Sequence, residues 1–590
     1  MLPANYGRAA AHTAVLLLAA PIPRGSIPGE THTRRVLGVG GRLLTADQIQ
    51  AGEQIERDDA HLRSLGIKPE LRRTLGFLSN FAIAFSFISV STGSFGNFGY
   101  GIGMGGPAFF WTWLIIIFGQ TLVALVFAEL SSHYPVAGSI YQWSKRLSNR
   151  TLGWFTGWFY FWAQVVTVTA VAVIVAFAVD GLLGSPKVGG AEFLDSPDPT
   201  GITTMFTFIA VGSLVLTTAV NAFGVRLLAL LNNIGVGTEI LGMLVFALVL
   251  LFFANHQSPD ILFKTFGAEK AQHGDLLATF MLGFFMSVFI VYGFDTAGTF
   301  GEETIDAGRQ APRGVLSSIW ISGVVGTVFL LGIILSIKDI PGQMAAGLGG
   351  QFPIANTILD NLNGKLFGGI TLGEIYLAVI LVSVFVCTLA IQGAATRMMF
   401  SMGRDGHLPF GRVWGHVNTT FRTPANAAVA VGILAALPIL LVGPLGGFTL
   451  SIAATGLIYL SYFMCNVGVA LARGRGWPRT KAWFNLGRWG MPVNILALLY
   501  GGVMIVNIGL WNDEGLFGNF GTPTRSLWNP FIDGLFKFLD KPIAGLPHWP
   551  LYESIVGVLL VTGIIYYVIA IRGTAHDVES DAATGETVIG

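Results

Sequence analysis

The chain has 590 residues, of which 53% are hydrophobic and only 11% are charged. Soluble domains carry about a quarter charged residues. A larger core cannot explain the deficit, because cores divide into separate domains beyond about 250–300 residues. The apolar side chains must therefore face a lipid bilayer, and the net charge of +1 gives no indication of a nucleic-acid partner.

Titratable and thiol residues lack the spacing of a metal centre or an enzyme. The ten His residues are scattered and form no HExxH pattern. Cys387 and Cys465 both lie inside apolar segments without CxxC spacing, so we expect them to be free, buried and hydrophobic in character. The sequence therefore predicts no metal, no cofactor, no catalytic residue and no enzymatic activity.

Twelve apolar stretches follow one another, each close to the 20 or so residues that a helix needs to cross a bilayer. Only residues 444–446 separate the ninth stretch from the tenth, which predicts a tight hairpin whose Pro444 ends the ninth helix. We predict an all-α polytopic membrane protein. Its spans are 77–99, 107–130, 154–180, 203–223, 229–253, 277–300, 315–336, 374–396, 425–443, 447–471, 492–511 and 553–571.

The distribution of Lys and Arg predicts the orientation of these spans. With the N-terminus inside, sixteen Lys and Arg residues flank the spans on the cytoplasmic side and eight on the opposite side, while the segment before the first span adds ten. We expect a plasma or inner membrane with both termini cytoplasmic. The predicted parts are a cytoplasmic tail (1–74), a ten-helix core (75–471), two further helices with a long outer loop at 512–552 (472–571), and a second cytoplasmic tail (572–590).

Residues that disfavour a continuous helix gather near mid-membrane in the first span, over 85–96, and in the sixth, over 291–301. Glycine costs about 1 kcal/mol against alanine in a helix, and Ser and Thr can satisfy freed backbone groups. Close helix packing through small residues would explain one such stretch. Two interrupted spans, each first in a block of five, instead indicate an inverted repeat with a binding site near the midplane.

The chemistry of such breaks suits a zwitterion. The N-terminus of a half-helix offers free N–H groups and a positive dipole end to a carboxylate, while unwound carbonyls can hold an ammonium group. We therefore predict that an amino acid or a related amine binds there. The predicted substrate-binding residues are Ser91, Thr92, Gly93, Ser94, Tyr292, Phe294, Asp295, Thr296 and Ala297.

Few charges lie inside the spans, where each costs about 2.5–3.5 kcal/mol on insertion scales. Asp295 has two interpretations: a partner for a substrate ammonium or a proton, or a cap on the lower half-helix. Glu239 has no Lys or Arg in its span, and burial would favour its neutral form, so it is a proton-coupling candidate. Alternatively, Glu239 lies near the cytoplasmic end and is solvated. We expect Glu129 to be structural, paired with a loop Arg or a backbone N–H.

Aromatic residues crowd the start of the third span, namely Trp154, Trp158, Tyr160 and Trp162. Tryptophan and tyrosine are enriched where a helix crosses the membrane interface. We expect most of these four to anchor the span at the interface and one or two to face the pocket.

Several motifs fall at the ends of the predicted spans. Together they resemble the amino acid/choline transporter branch of the amino acid–polyamine–organocation superfamily, over roughly residues 58–571. The motifs are 65–73 with 77–83, Gly105-Gly106-Pro107, 128–135 with 138–143, Gly293-Phe294-Asp295 with 302–304 and 311–314, 397–400 with 404–409, 423–427 and 487–494.

The resemblance implies a LeuT-type fold with five plus five inverted helices and two extra. It also implies alternating access, with substrate between the first, third, sixth, eighth and tenth helices. Relatives carry GABA, other amino acids, choline or polyamines. Within the matching motifs, Glu129, Glu302 and Arg404 are expected to have structural or gating roles.

The resemblance also bears on the coupling ion. Sodium-coupled relatives use hydroxyls of the eighth helix, and Ser383, Cys387 and Thr388 match that set incompletely. Proton coupling or exchange is therefore favoured over sodium. Some proton-coupled relatives place a lysine on the fifth helix, where this chain has Glu239.

The leading hypothesis is a secondary active transporter of amino acids or GABA. The alternative is an organic-cation permease of the same fold for choline or a polyamine, which more buried carboxylates or an aromatic cage would favour. A remote alternative is an amino-acid sensor that does not transport, but the charged tail at 1–74 is short of core residues for a signalling domain.

Overall fold

The computed structural model describes residues 36–37, 43–44, 46–183, 205–348, 353–364, 369–509, 551–572, 579–580 and 587–588. The chain divides into two compact units, residues 1–61 and 62–590. In the first unit, β1 (Val36–Leu37) pairs antiparallel with β2 (Leu43–Leu44). Helix α1 (Ala46–Ser64) begins there, so the predicted tail contains a helix of 19 residues.

The described part of the second unit is built almost entirely of helices. They are α2 (Phe77–Ile88), α3 (Val90–Gly105), α4 (Phe110–His133), α5 (Ser139–Leu147), α6 (Arg150–Leu183), α7 (Met205–Phe223), α8 (Val225–Phe253), α9 (Leu276–Ile290), α10 (Thr296–Thr299), α11 (Ala307–Ser336), α12 (Ile340–Leu348), α13 (Pro353–Asn361), α14 (Leu372–Arg404), α15 (Gly411–Trp414), α16 (Ala425–Thr449), α17 (Ser451–Gly474), α18 (Gly490–Asn507) and α19 (Leu551–Tyr566). Short 3-10 turns span Pro107–Phe109, Pro259–Phe263, Ala268–Gln272, Gly301–Glu303 and Gly487–Trp489, a π-turn spans Tyr567–Ile571, and β3 (Glu579–Ser580) pairs with β4 (Thr587–Val588).

Among the described residues, ten helical stretches are long and apolar enough to cross a membrane. Two shorter apolar helices, Leu276–Ile290 and Ala425–Leu441, lie at the places of the sixth and ninth predicted spans. The chain is thus an all-α, multi-pass membrane protein, and the predicted class and order of spans are confirmed. The predicted outer loop 512–552 lies outside the described residues as far as residue 550.

The first span is broken, at Ser89. Helix α2 ends at Ile88 and α3 begins at Val90, with Ser89 between them at a φ of 33°. Ser89 lies within the stretch 85–96 in which the break was predicted, and Gly93 follows inside α3. Its small size serves the packing of α3 on α9, since a Cβ at Gly93 would overlap the side chain of Ile290.

The sixth span is broken over residues 291–295, where the sequence predicted it. Helix α9 ends at Ile290 and the four-residue α10 begins at Thr296. Gly293 between them has a φ of 88°, which glycine adopts without strain. A Cβ at Gly293 would also overlap the Phe87 ring, so the two breaks lie against each other.

Two predicted boundaries need correction. The hairpin at 444–446 is a kink at Gly443 (φ 79°, ψ 169°) inside α16, and the connection to α17 falls at Leu450. The regular helix that begins at Ala425 therefore ends beside Pro444, as predicted, because proline lacks an N–H and cannot continue the hydrogen-bond ladder. The eighth span extends to Arg404, which places Arg397 inside α14 instead of in a loop.

Four long helices surround the two breaks. Helix α6 packs against both α14 and α17, α8 packs against α2 and α14, and α3 packs along α9. The polar backbone at the breaks is therefore covered by protein, which is the condition under which irregular backbone persists at membrane depth.

Candidate functional site

Asp295 lies at the end of the sixth-span break, with its side chain fully buried. The Tyr160 hydroxyl lies 2.8 Å and 2.9 Å from its two carboxylate oxygens, Tyr462 donates to Oδ1 at 2.6 Å, and Ser139 donates to Oδ2 at 2.9 Å. The side chain makes no capping bond to α10, so the capping interpretation is wrong for this structure. Three hydroxyls, from α5, α6 and α17, hold the carboxylate instead.

No basic residue compensates this carboxylate in the part of the chain that the structure describes. Hydroxyl groups can rotate and so can serve as donors or as acceptors. A site of this kind can hold a negative charge, and it can also accept a cation beside it without an existing ion pair having to break.

Glu239 of α8 reaches the break in the first span. Its Oε1 accepts from the Ser89 hydroxyl at 3.0 Å, from the Ser91 hydroxyl at 2.8 Å and from the Ser91 backbone N–H at 3.1 Å. Its Oε2 is buried without a hydrogen-bond partner among the described residues. The alternative that Glu239 is solvated is wrong, because its side chain is fully buried.

The contact with the Ser91 N–H places the Glu239 carboxylate at the N-terminus of α3. The first N–H groups of a helix have no partner within the helix, and they lie at the positive end of its dipole. Glu239 thus satisfies, from another helix, one of the backbone N–H groups that the first-span break leaves free.

The other residues predicted around the first break are buried but helical. Ser91, Thr92, Gly93 and Ser94 lie in the opening turns of α3, which form the half-helix N-terminus of the first span. The Thr92 hydroxyl lies 2.6 Å from that of Ser89, and the Gly93 N–H donates to the Ser89 carbonyl. The Ser94 hydroxyl is buried without a partner among the described residues.

The residues predicted around the sixth break are also buried. Tyr292 and Phe294 lie in the non-helical linker, and the buried Thr296 hydroxyl has no partner in the described part of the chain. Ala297 lies in α10, where its carbonyl accepts from the Asn80 side chain at 2.8 Å. That carbonyl therefore has one hydrogen-bond partner within the protein.

Of the aromatic residues at the start of the third span, one contacts the Asp295 site and the others pack against neighbouring side chains. Tyr160 is fully buried and bonds Asp295, whereas Trp158 and Trp162 are only half-buried. Trp154 is buried and stacks on Trp158 with ring centroids 5.3 Å apart. Sequence reasoning included Tyr160 but missed Ser139 and Tyr462, which lie 156 and 167 residues from Asp295 and carry no local signal.

Ion pairs join several elements at the predicted cytoplasmic end. Arg404 of α14 bonds both oxygens of Glu302, at 2.9 Å and 3.0 Å, and Glu302 also accepts from the Ala137 N–H. Next to this pair, Lys145 bonds Asp405 at 2.9 Å. Burial opposes the charge of Asp405, but Lys145 and Arg404 outweigh it and hold the pKa of Asp405 below its usual range.

Two further pairs are almost completely buried. Arg397 bonds both oxygens of Glu303, and each of these side chains is 1% exposed. Glu129 pairs with Arg473 and also accepts from the Leu486 N–H at 3.0 Å. Cys387 and Cys465 are free and buried, and the Cys387 thiol lies 3.6 Å from the Phe87 carbonyl beside the first break.

Comparison with known proteins gives one family match along most of the chain. The profile of a family described as "Amino acid permease" matches residues 75–532. The Oryza sativa subsp. japonica protein "Amino-acid permease BAT1 homolog" is 31% identical over 468 residues, which are 77% of this chain and 88% of that protein. The Arabidopsis thaliana protein "Amino-acid permease BAT1" is 29% identical over 486 residues, 79% of this chain and 89% of that protein.

Among solved structures, the crystal structure of MhsT in complex with L-phenylalanine is similar, with a TM-score of 0.48 and 13% sequence identity. The match covers 72% of this chain and 98% of that one.

Proposed function

Because this chain belongs to the amino acid permease family, whose members are transporters and not enzymes, we propose that it carries an amino acid or GABA across a plasma or inner membrane by alternating access. Both termini are cytoplasmic in this proposal, as the excess of Lys and Arg on that side favours.

The observation that carries the proposal is the Asp295 carboxylate at the sixth-span break. It is fully buried and is held by the hydroxyls of Ser139, Tyr160 and Tyr462, with no basic residue paired to it in the described part of the chain. A substrate ammonium beside these groups would compensate the charge. The substrate carboxylate would then lie toward the N-terminus of α3, across the contact between the two breaks.

Alternating access requires that one side opens while the other closes. In this proposal the pairs Glu302–Arg404 and Lys145–Asp405 close the cytoplasmic side, because they join α14 to residues that follow α10 and to α5. They separate when the substrate is released inward. Arg397–Glu303 and Glu129–Arg473 are more deeply buried and have structural roles.

Coupling is to protons or to exchange in this proposal, with Glu239 as the proton-binding group. It lies at the first-span break and has no basic partner in the described part of the chain. The hydroxyls of Ser383 and Thr388 donate back to carbonyls of their own helix, which gives no support to a sodium site of the kind found in sodium-coupled relatives.

A second candidate function is transport of an organic cation such as choline or a diamine. Asp295 and Glu239 favour this function, because both carboxylates are buried without a basic partner in the described part of the chain. Such a pair also suits a ligand that carries positive charge and no carboxylate. The family match with amino acid permeases favours the first candidate.

The two candidates separate in a transport assay. Purified full-length chain in proteoliposomes is offered radiolabelled amino acids, GABA, choline and putrescine, and the same ligands are tested for thermal stabilisation, which grows with concentration over the dissociation constant. We expect saturable uptake of at least one amino acid or GABA. Uptake confined to choline or putrescine would replace the first candidate by the second.

A further inference from the structure

We propose that the Glu239 carboxylate occupies the place of the substrate carboxylate, and that the substrate carboxylate binds there only when Glu239 carries a proton. This inference rests on the proposed function. In this inference Glu239 competes with the substrate, and binding of the ligand carboxylate is linked to uptake of a proton.

The N-terminus of α3 is already occupied by a carboxylate. Helix α3 has 16 residues, and its first turn offers the Ser91 N–H and the Ser91 hydroxyl. Both already donate to one oxygen of Glu239, at 3.1 Å and 2.8 Å. A carboxylate therefore binds at this helix end in the folded chain, as dipole and free N–H groups favour.

Two buried polar atoms near this contact have no hydrogen-bond partner in the described part of the chain. The other oxygen of Glu239 is buried without a partner among the described residues, and so is the hydroxyl of Ser94 in the same half-helix. Buried polar groups in native proteins nearly always have a partner. When a ligand carboxylate binds here, the unpaired Glu239 oxygen can accept the proton, and the Ser94 hydroxyl can donate a hydrogen bond to the ligand.

The charge of Glu239 is not balanced by a basic residue among those that the structure describes. No Lys, Arg or His pairs with Glu239 in the described part of the chain, so nothing there would offset a second carboxylate beside it. Two like charges at one buried site disfavour each other, and one of them must become neutral. The group that can take up a proton within the protein is Glu239.

The titratable neighbours of Glu239 are few. Helix α14, which packs against α8, brings Tyr376 and Cys387 within electrostatic reach of it. Helices α2, α7 and α11 also pack against α8. Helices α2 and α7 carry no charged residue, and the charged residues of α11 are Arg309 and Arg313 near its first turn. Neither tyrosine nor a buried thiol ionises readily near neutral pH, so Glu239 is the group that titrates here.

Binding of the ligand carboxylate is therefore accompanied by protonation of Glu239. Protonated Glu239 changes from an acceptor into a donor, and its O–H bonds the incoming ligand carboxylate in a short charge-assisted hydrogen bond. The Ser91 N–H is released to the same ligand. One proton from solvent is taken up for each ligand carboxylate bound, and it is returned to solvent when that carboxylate leaves.

Pairs of ligands that differ only in the carboxylate test this inference. The probes are L-leucine with isopentylamine, and GABA with n-propylamine, bound to the full-length chain and measured by thermal stabilisation over a series of pH values. We expect the dissociation constants of L-leucine and GABA to rise with pH by up to about tenfold per pH unit in the wild type. Those of the amines should not change, and Glu239→Gln should remove the slope.

Glu374→Gln is the matched control, because Glu374 lies in a capping box at the first turn of α14, where glutamine serves as well. It should keep the wild-type slope. If Glu239→Gln does not fold, Glu239→Asp replaces it: the carboxylate is one methylene further from Ser91, so the slope should persist with a displaced midpoint. An unchanged midpoint would contradict the inference.

The outcomes also separate the inference from the proposed function. A slope that persists in Glu239→Gln, or equal slopes for amino acids and amines, would overturn the inference while amino-acid binding still stands. Binding of the amines alone by the folded wild type would overturn the proposed function together with the inference.

Discussion

Tyr462 joins the backbone and the side chain of the sixth-span break through a single hydroxyl. This hydroxyl accepts a hydrogen bond from the Gly293 N–H at 2.8 Å and donates to Asp295 Oδ1 at 2.6 Å. All three residues are buried. The tenth span thus fixes both the path of the broken backbone and the direction of its carboxylate, while Phe87 of the first span covers Gly293 from the other side.

We predict that Tyr462→Phe lowers both stability and uptake. The substitution leaves a buried N–H and a buried carboxylate each short of one partner, which costs about 1–3 kcal/mol per group. Thermal unfolding and proteoliposome uptake are the measurements. Tyr459→Phe is the control on the same helix, because its hydroxyl meets that of Tyr500 only at 3.3 Å. Equal effects of the two substitutions would contradict this role of Tyr462.

We predict that Gly93→Ala destabilises the protein by about 1–3 kcal/mol, the usual cost of overpacking. The added Cβ would overlap Ile290 where α3 lies along α9. Ile290→Ala removes the overlapped atom, so the double variant should be more stable than the sum of the single effects. Gly237→Ala on α8, where a Cβ meets nothing within 4 Å, is the control. Additive effects at Gly93 and Ile290 would show that this close approach is absent.

Local signals predicted the helices and the sixth break but not what stabilises the breaks. Apolar length fixed the order of the spans, and Gly293 marked its own break because its positive φ requires glycine. Ser89 is different: a serine at φ 33° persists because Glu239 and Thr92 bond its hydroxyl, and Glu239 lies 150 residues away. A hydrogen bond between residues so far apart along the chain produces no local sequence pattern from which it could be predicted.

Arg404 offers a test of the cytoplasmic closure. Arg404→Gln removes the bidentate bond to Glu302, so we expect a larger population open to the cytoplasmic side. The native Cys387, buried beside the first break, is the reporter in a Cys465→Ala background. Its rate of labelling by a thiol reagent should rise in Arg404→Gln and stay at the background value in Arg412→Gln, whose side chain is exposed. Unchanged labelling in both would contradict the gating role.

Asp405 should give the cytoplasmic end a pH-dependent stability. Burial opposes its charge, but Lys145 and Arg404 lower its pKa below the ordinary value. A lowered pKa stabilises the fold above the unfolded-state value, and that contribution is lost as the pH falls toward the folded-state value. Asp405→Asn should therefore be less stable than wild type at neutral pH, with a difference that shrinks below about pH 4. The exposed Asp360→Asn should show no such trend, and a constant difference for Asp405→Asn would contradict the pairing.

The most direct test of the central claim is uptake by proteoliposomes that contain either wild type or Asp295→Asn. The asparagine keeps the shape of the side chain and an acceptor for the Tyr462 hydroxyl, so the variant should fold, and its unfolding temperature checks this. We predict saturable uptake of an amino acid or GABA by the wild type and none by Asp295→Asn. Uptake of that ligand by Asp295→Asn at the wild-type rate would contradict the claim that this carboxylate binds the substrate amine.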